Sequence, residues 1–109
     1  VRIILGEEMR EHMATVNEVL GYLGRGQLER AAEVAEARMG LSSTGKHRGT
    51  GMGPGRYMTP EMRQTGRAMH ESATRFAEIA AQGDLAASVA AFQTITAHCV
   101  ACHNAYRVR

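Results

Sequence analysis

Tryptophan is absent from this 109-residue chain, and aromatic residues are limited to three Tyr and two Phe. A β-sandwich core, which leans on aromatic and β-branched side chains, is therefore disfavoured. The apolar residues, 44% of the chain, are mainly Ala, Leu, Val, Ile and seven Met, a mixture that points to helices. Strong charge of one sign is also missing: the formal net charge is +2 and the sequence pI near 8.8. No basic stripe with interleaved aromatics is present, so a nucleic-acid partner is not expected. No apolar run is expected to reach the length of a membrane span. No signal peptide is visible, and a chain opening at Val1 fits a processed mature protein. The length suits one domain with a single core.

Cysteine is scarce as well, with only Cys99 and Cys102. A structural zinc site usually takes four ligands, and His12, His47, His70 and His98 supply no second pair at short spacing. A disulfide across two intervening residues of one helix has poor geometry and would close almost no loop. A thioredoxin-like pair sits after a strand at the start of a helix, where the helix N-terminus lowers the thiol pKa. Here the pair ends a long helical pattern. What is present is Cys99-Val100-Ala101-Cys102-His103, the spacing that covalent haem attachment requires. The two thiols add across the two vinyl groups of the ring as thioethers, and the adjacent imidazole reaches the iron. On a helix Cys99 and His103 share a face, with Cys102 one turn round from Cys99.

A covalent haem c also answers the missing aromatics, because the porphyrin brings the large flat apolar body that the side chains lack. Apo-protein should then be poorly folded. Two propionates subtract about two charges, which leaves the holo-protein near neutral, so the pI is weak evidence for an acidic partner.

Four helical segments can be read. The first runs from about Ile3 to Leu23 on a stripe of Met9, Met13, Val16, Leu20 and Leu23, and Gly21, Gly24 and Gly26 loosen its end. The second, about 27–39, has an alanine stripe of Ala31, Ala32 and Ala35 and stops at Gly40. Residues 40–58 have no periodicity and read as a long loop. Thr59-Pro60-Glu61 opens a third helix, about 60–82, with Thr59 as N-cap and Pro60 at the first helical position. Gly83-Asp84 makes a tight turn into the fourth, about 84–107, whose seam carries Leu85, Val89, Phe92, Thr96, Cys99, His103 and Tyr106. The expected fold is all-α, an antiparallel up-down-up-down four-helix bundle with the haem on the C-terminal helix.

The tail GDLAASVAAFQTITAHCVACHNAYRVR resembles the C-terminal helix of the cytochrome c′ family, down to Cys-x-x-Cys-His-x-x-Tyr-Arg. That specific match covers about a quarter of the chain; the remainder agrees in architecture. The resemblance implies a periplasmic haem protein, often an antiparallel homodimer, with helices one and two as the expected contact. It also implies one of two iron sites. Either a Met of the first helix is the sixth ligand, in an electron carrier that meets redox partners transiently, or the iron is five-coordinate and binds NO or CO.

Counting back from the glycine-marked end of helix one places Met13 at the distal turn, as the expected sixth ligand opposite His103. Met9, one turn earlier, competes with it, and a Met on a helix stripe is commonly core filler. His12 lies off the central stripe and is expected to face solvent; a His/His site through it is a minor alternative. His98 should face outward, and His70 should be half exposed. Arg10 is a candidate bidentate partner for a propionate. Arg107 matches the family's Tyr-Arg ending and either covers the proximal side of His103 or is a solvated helix-terminal residue. The chain could also be one haem domain of a larger redox enzyme.

Overall fold

The computed structural model describes residues 2–44 and 59–106, with side chains described over 9–44 and 59–104. Among the described residues the fold consists of four antiparallel helices, α1 (Arg2–Gly24), α2 (Leu28–Met39), α3 (Pro60–Ala81) and α4 (Leu85–Tyr106). A 3-10 turn at Leu41–Ser43 occupies the start of the expected long loop. The rest of that loop, including His47, Met52 and Met58, lies outside the described residues, as does Arg107.

Each turn follows from local chemistry. After α1, Gly26 adopts φ +74°, a left-handed conformation that a side chain would oppose. Its N–H donates to Leu23 O and that of Gln27 to Tyr22 O, at 3.1 and 2.8 Å. These two bonds close α1 in the pattern of a glycine-terminated helix. At the start of α3 the Thr59 hydroxyl accepts from the Met62 N–H at 3.1 Å, with Pro60 at the first helical position and Glu61 in the first turn. Gly83 takes φ +85° between α3 and α4, and the Asp84 carboxylate then accepts from the Ala87 N–H at 2.9 Å.

Alanine decides how closely the helices approach. Ala31, Ala32 and Ala35 of α2 and Ala73 and Ala80 of α3 are buried, leaving room for Val19, Leu23, Met39, Met69, Phe76, Phe92 and Ile95. Phe76 and Phe92 meet edge-on with ring centroids 5.5 Å apart. Beside the core, Glu36 ties α2 to the 3-10 turn and to α3. Its carboxylate accepts from the Ser42 N–H and hydroxyl and from the Thr74 hydroxyl, while Thr74 accepts from the Leu41 N–H.

Neighbouring helices do not pack equally. α1 lies on α2, α2 on α3 and α3 on α4, whereas α1 and α4 make hardly any close backbone approach. α4 also departs from one expectation. By length and composition its stretch Leu85–Asn104 would suffice to cross a membrane, because 20 residues pass without a charged side chain other than histidine. In the bundle Ser88, Phe92 and Ile95 of that stretch are buried in the core.

Candidate haem site

Cys99 and Cys102 sit on the last turns of α4, both half-buried and both free thiols. Burial pushes both thiols up from the usual cysteine range, and at Cys99 the neighbouring Cys102 adds to the rise. Neutral thiols at the end of a helix are the opposite of a thioredoxin-like pair, whose function needs a lowered pKa. The redox-pair alternative therefore loses its physical basis.

His103 follows on the same helix and is exposed. Its Nε2 faces the Met9 sulfur of α1 at 3.4 Å. The structure thus brings Met9, and not Met13, to the imidazole; Met13 is 68% exposed. Helix rise explains the difference. Along α4, His103 lies about 27 Å from Leu85 at roughly 1.5 Å per residue. Measured back from Gly24 along antiparallel α1, Met13 is only about 16 Å away and Met9 about 22 Å. Only the earlier methionine approaches the height of His103.

His12 corrects a second expectation. It is buried, at 8% exposure, with its ring edge-on to His70 at 5.8 Å. Its position three and seven residues ahead of Thr15 and Val19, both fully buried, puts it on the core side of α1. His70 is half-buried as expected, and its Nδ1 lies 2.6 Å from the Met39 carbonyl. A carbonyl only accepts, so Nδ1 carries the proton and satisfies one of the open carbonyls at the end of α2. His98 is half-buried, less exposed than expected, and Arg10 is exposed beside Met9.

The residues present suit a covalently held porphyrin. Two thiols, an imidazole and a thioether converge at one end of the α1/α4 seam, and Met13 and Val100 there expose apolar surface at 68% and 58%. An imidazole nitrogen and a thioether sulfur that share a metal stand roughly 4 Å apart, judging from metal–nitrogen and metal–sulfur bonds of about 2.0 and 2.3 Å. The observed 3.4 Å needs less than about 1 Å of opening to meet that. The loosely packed α1/α4 pair leaves room for it.

Sequence reasoning ranked Met9 behind Met13 opposite His103 and missed the His12–His70 pair. Both had a signal. Helix-rise arithmetic from the two tight turns locates the first, and the 12, 15, 19, 23 spacing on α1 locates the second.

A family model described as Cytochrome C′ matches the chain over residues 7–107. No curated protein and no solved structure matches the chain.

Proposed function

Because the chain belongs to the Cytochrome C′ family and so is a c-type haem protein with one covalent haem c, we propose that it is a periplasmic electron carrier whose axial ligands are His103 and Met9. The observation behind this reading is the 3.4 Å approach of the Met9 sulfur to the His103 Nε2. Cys99 and Cys102 are the residues to hold the ring through thioether bonds, and Arg10 and Arg107 are those to meet its propionates or edge. When bound, the haem supplies a one-electron ferric/ferrous couple. His103 provides the proximal lone pair. The soft Met9 thioether favours the reduced state and raises the potential. Met9, facing His103, would also occupy the place that a small gas would need. Cys102, half-buried, would hold an edge of the ring toward the surface, where redox partners would make contact. Such contacts are small and transient. No substrate is transformed.

The test is the absorption spectrum of the reduced holo-protein before and after carbon monoxide. A sharp low-spin spectrum that carbon monoxide leaves unchanged is expected. Met9→Ala should turn it into a broad, carbon monoxide-reactive one, while Met13→Ala should leave it alone. A wild-type spectrum that is high-spin and shifts at once with carbon monoxide would overturn the carrier reading in favour of a five-coordinate gas-binding haem. A response in Met13→Ala and none in Met9→Ala would move the ligand to Met13.

A further inference from the structure

His12 and His70 meet inside the bundle and have no part in the haem chemistry derived above. Their rings lie edge-on, with centroids 5.8 Å apart and planes at 76°. His12 is buried and His70 half-buried. They come from α1 and α3, two helices that are not among the closely packed neighbours. Height separates them from the iron end. Counted from the tight turns, His12 lies about 18 Å down α1 and His70 about 17 Å down α3, whereas His103 lies about 27 Å down α4. The pair therefore closes one end of the apolar core, at the level where α2 ends in Met39.

One nitrogen of His70 already has its role. Its Nδ1 carries a proton to the Met39 carbonyl at 2.6 Å, so in the neutral ring Nε2, on the other side, presents a lone pair. Metal-binding histidines are oriented in this way, with the second ring N–H donated to a backbone carbonyl or a carboxylate.

The separation of the rings also fits a shared ion. With metal–nitrogen bonds of about 2.0 Å, each ring centroid stands roughly 3.2 Å from the metal. Two such arms span about 4.5 Å at a right angle, about 5.2 Å at the tetrahedral angle and about 6.4 Å in line. The observed 5.8 Å corresponds to an angle of roughly 130°. Each ring turns about its own metal–nitrogen bond, so the splayed planes are no obstacle.

We propose that His12 and His70 form a zinc site that bridges α1 and α3. The donors choose the class of ion: magnesium and calcium take oxygen ligands, while imidazole nitrogen suits zinc, copper and nickel. Geometry chooses within that class. Copper(II) and nickel(II) favour square-planar sites, with nitrogens at right angles or in line, and neither spans 5.8 Å. Zinc has no such preference. No third His, Cys, Asp or Glu joins the pair in a metal-binding group among the described residues. Water therefore completes the coordination from the half-buried His70 side, and the ion exchanges, unlike a four-ligand structural zinc. Because it binds only where the two helices are assembled, it stabilises the folded chain. The inference rests on these two histidines and is independent of the sixth haem ligand.

Calorimetric titration of the metal-free holo-protein with zinc sulfate tests it, with the absorption spectrum followed throughout. Expected are uptake of one zinc per chain, an unmoved haem spectrum, and a urea midpoint that rises with zinc but not with magnesium. His12→Gln and His70→Gln should each weaken uptake at least tenfold, while His47→Gln with His98→Gln should leave it unchanged. X-ray absorption at the zinc edge of the wild-type protein, which needs no variant to fold, should show two imidazole nitrogens. Absence of uptake at millimolar zinc would overturn the proposal. So would uptake indifferent to His70→Gln but lost with His47 and His98, which would mark an adventitious ion only. A haem spectrum that shifts as zinc enters would also overturn it, by placing the ion at Met9 and His103.

Discussion

Replacing Phe76 by Ala probes the separation between the core that holds the bundle and the end that holds the haem. Phe76 is 0% exposed and meets Phe92 edge-on. Its other fully buried companions include Ala31, Ala35, Ala73 and Ala80, which are too short to swing into the space a lost ring leaves. The cavity should therefore persist, and substitutions of this kind cost about 3–5 kcal/mol. A domain of this size is stable by roughly 5–15 kcal/mol in total. At about 4–8 °C per kcal/mol, Phe76→Ala should lower the melting temperature by roughly 12–40 °C. Circular dichroism at 222 nm during heating and urea titration of the holo-protein measures this. Phe92→Ala together with Phe76→Ala should show a coupling of about 0.5–1.5 kcal/mol, the contribution of the ring pair. Phe92 is about 16 Å along α4 from His103, so the haem spectrum of folded Phe76→Ala should match wild type. A loss below about 1 kcal/mol would show that the helices close over the gap. An altered spectrum in the folded variant would refute the separation of core and site.

Glu36 gives a pH test. Partial burial pushes its carboxyl up, but hydrogen bonds from the Ser42 hydroxyl, the Thr74 hydroxyl and the Ser42 N–H outweigh this and hold it below the usual carboxylate range. Its stabilisation is thus complete above the unfolded carboxyl's pKa and fades as pH falls through the lower folded value. Glu36→Gln should lower the urea midpoint near neutral pH, with the gap to wild type closing as pH falls below the usual carboxylate range; a gap independent of pH would contradict the sign. Two glycines of one turn should respond oppositely to alanine, since a Cβ at either meets nothing within 4 Å and only Gly26 has positive φ. Gly24→Ala should stabilise by about 0.5–1 kcal/mol, and Gly26→Ala should cost about 1–2 kcal/mol, both read by urea titration. Cys99→Ser with Cys102→Ser should release all haem into acidified organic solvent, whereas each single change should leave the haem attached by one thioether; retention in the double variant would place the attachment elsewhere.

The helices were legible because their signals are local. Thr59, Pro60 and Glu61 announce the start of α3 by N-cap chemistry, and the alanine stripe of α2 announces how closely it packs. The Cys99-to-His103 motif stands out for the same reason, as five consecutive residues whose spacing carries its own geometry. The short turn at Leu41–Ser43 was not. Its hydrogen bonds run to Glu36 and, from Leu41, to Thr74 across the bundle, and no periodicity within residues 40–58 announces a partner in α3.

The distal residue is the harder case, because it depends on a register between elements about ninety positions apart. Glycines at the end of α1 mark where that helix stops, and counting back from them does not give the height that the partner requires. Height comes from the partner helix: His103 stands about five turns beyond Leu85 on α4, so its counterpart must stand equally far down α1. Met13 and Met9 share a stripe, which is why periodicity alone could not separate them. The two differ in what each would leave uncovered. With Met9 against His103, Met13 is free to lie beside the ring as apolar surface. With Met13 as ligand, α1 would have to slide by about 6 Å along its axis, carrying Val19 and Leu23 out of their places among Ala31, Ala35 and Phe76. The packed core, built from residues with no part in the haem chemistry, thereby selects which methionine meets the imidazole.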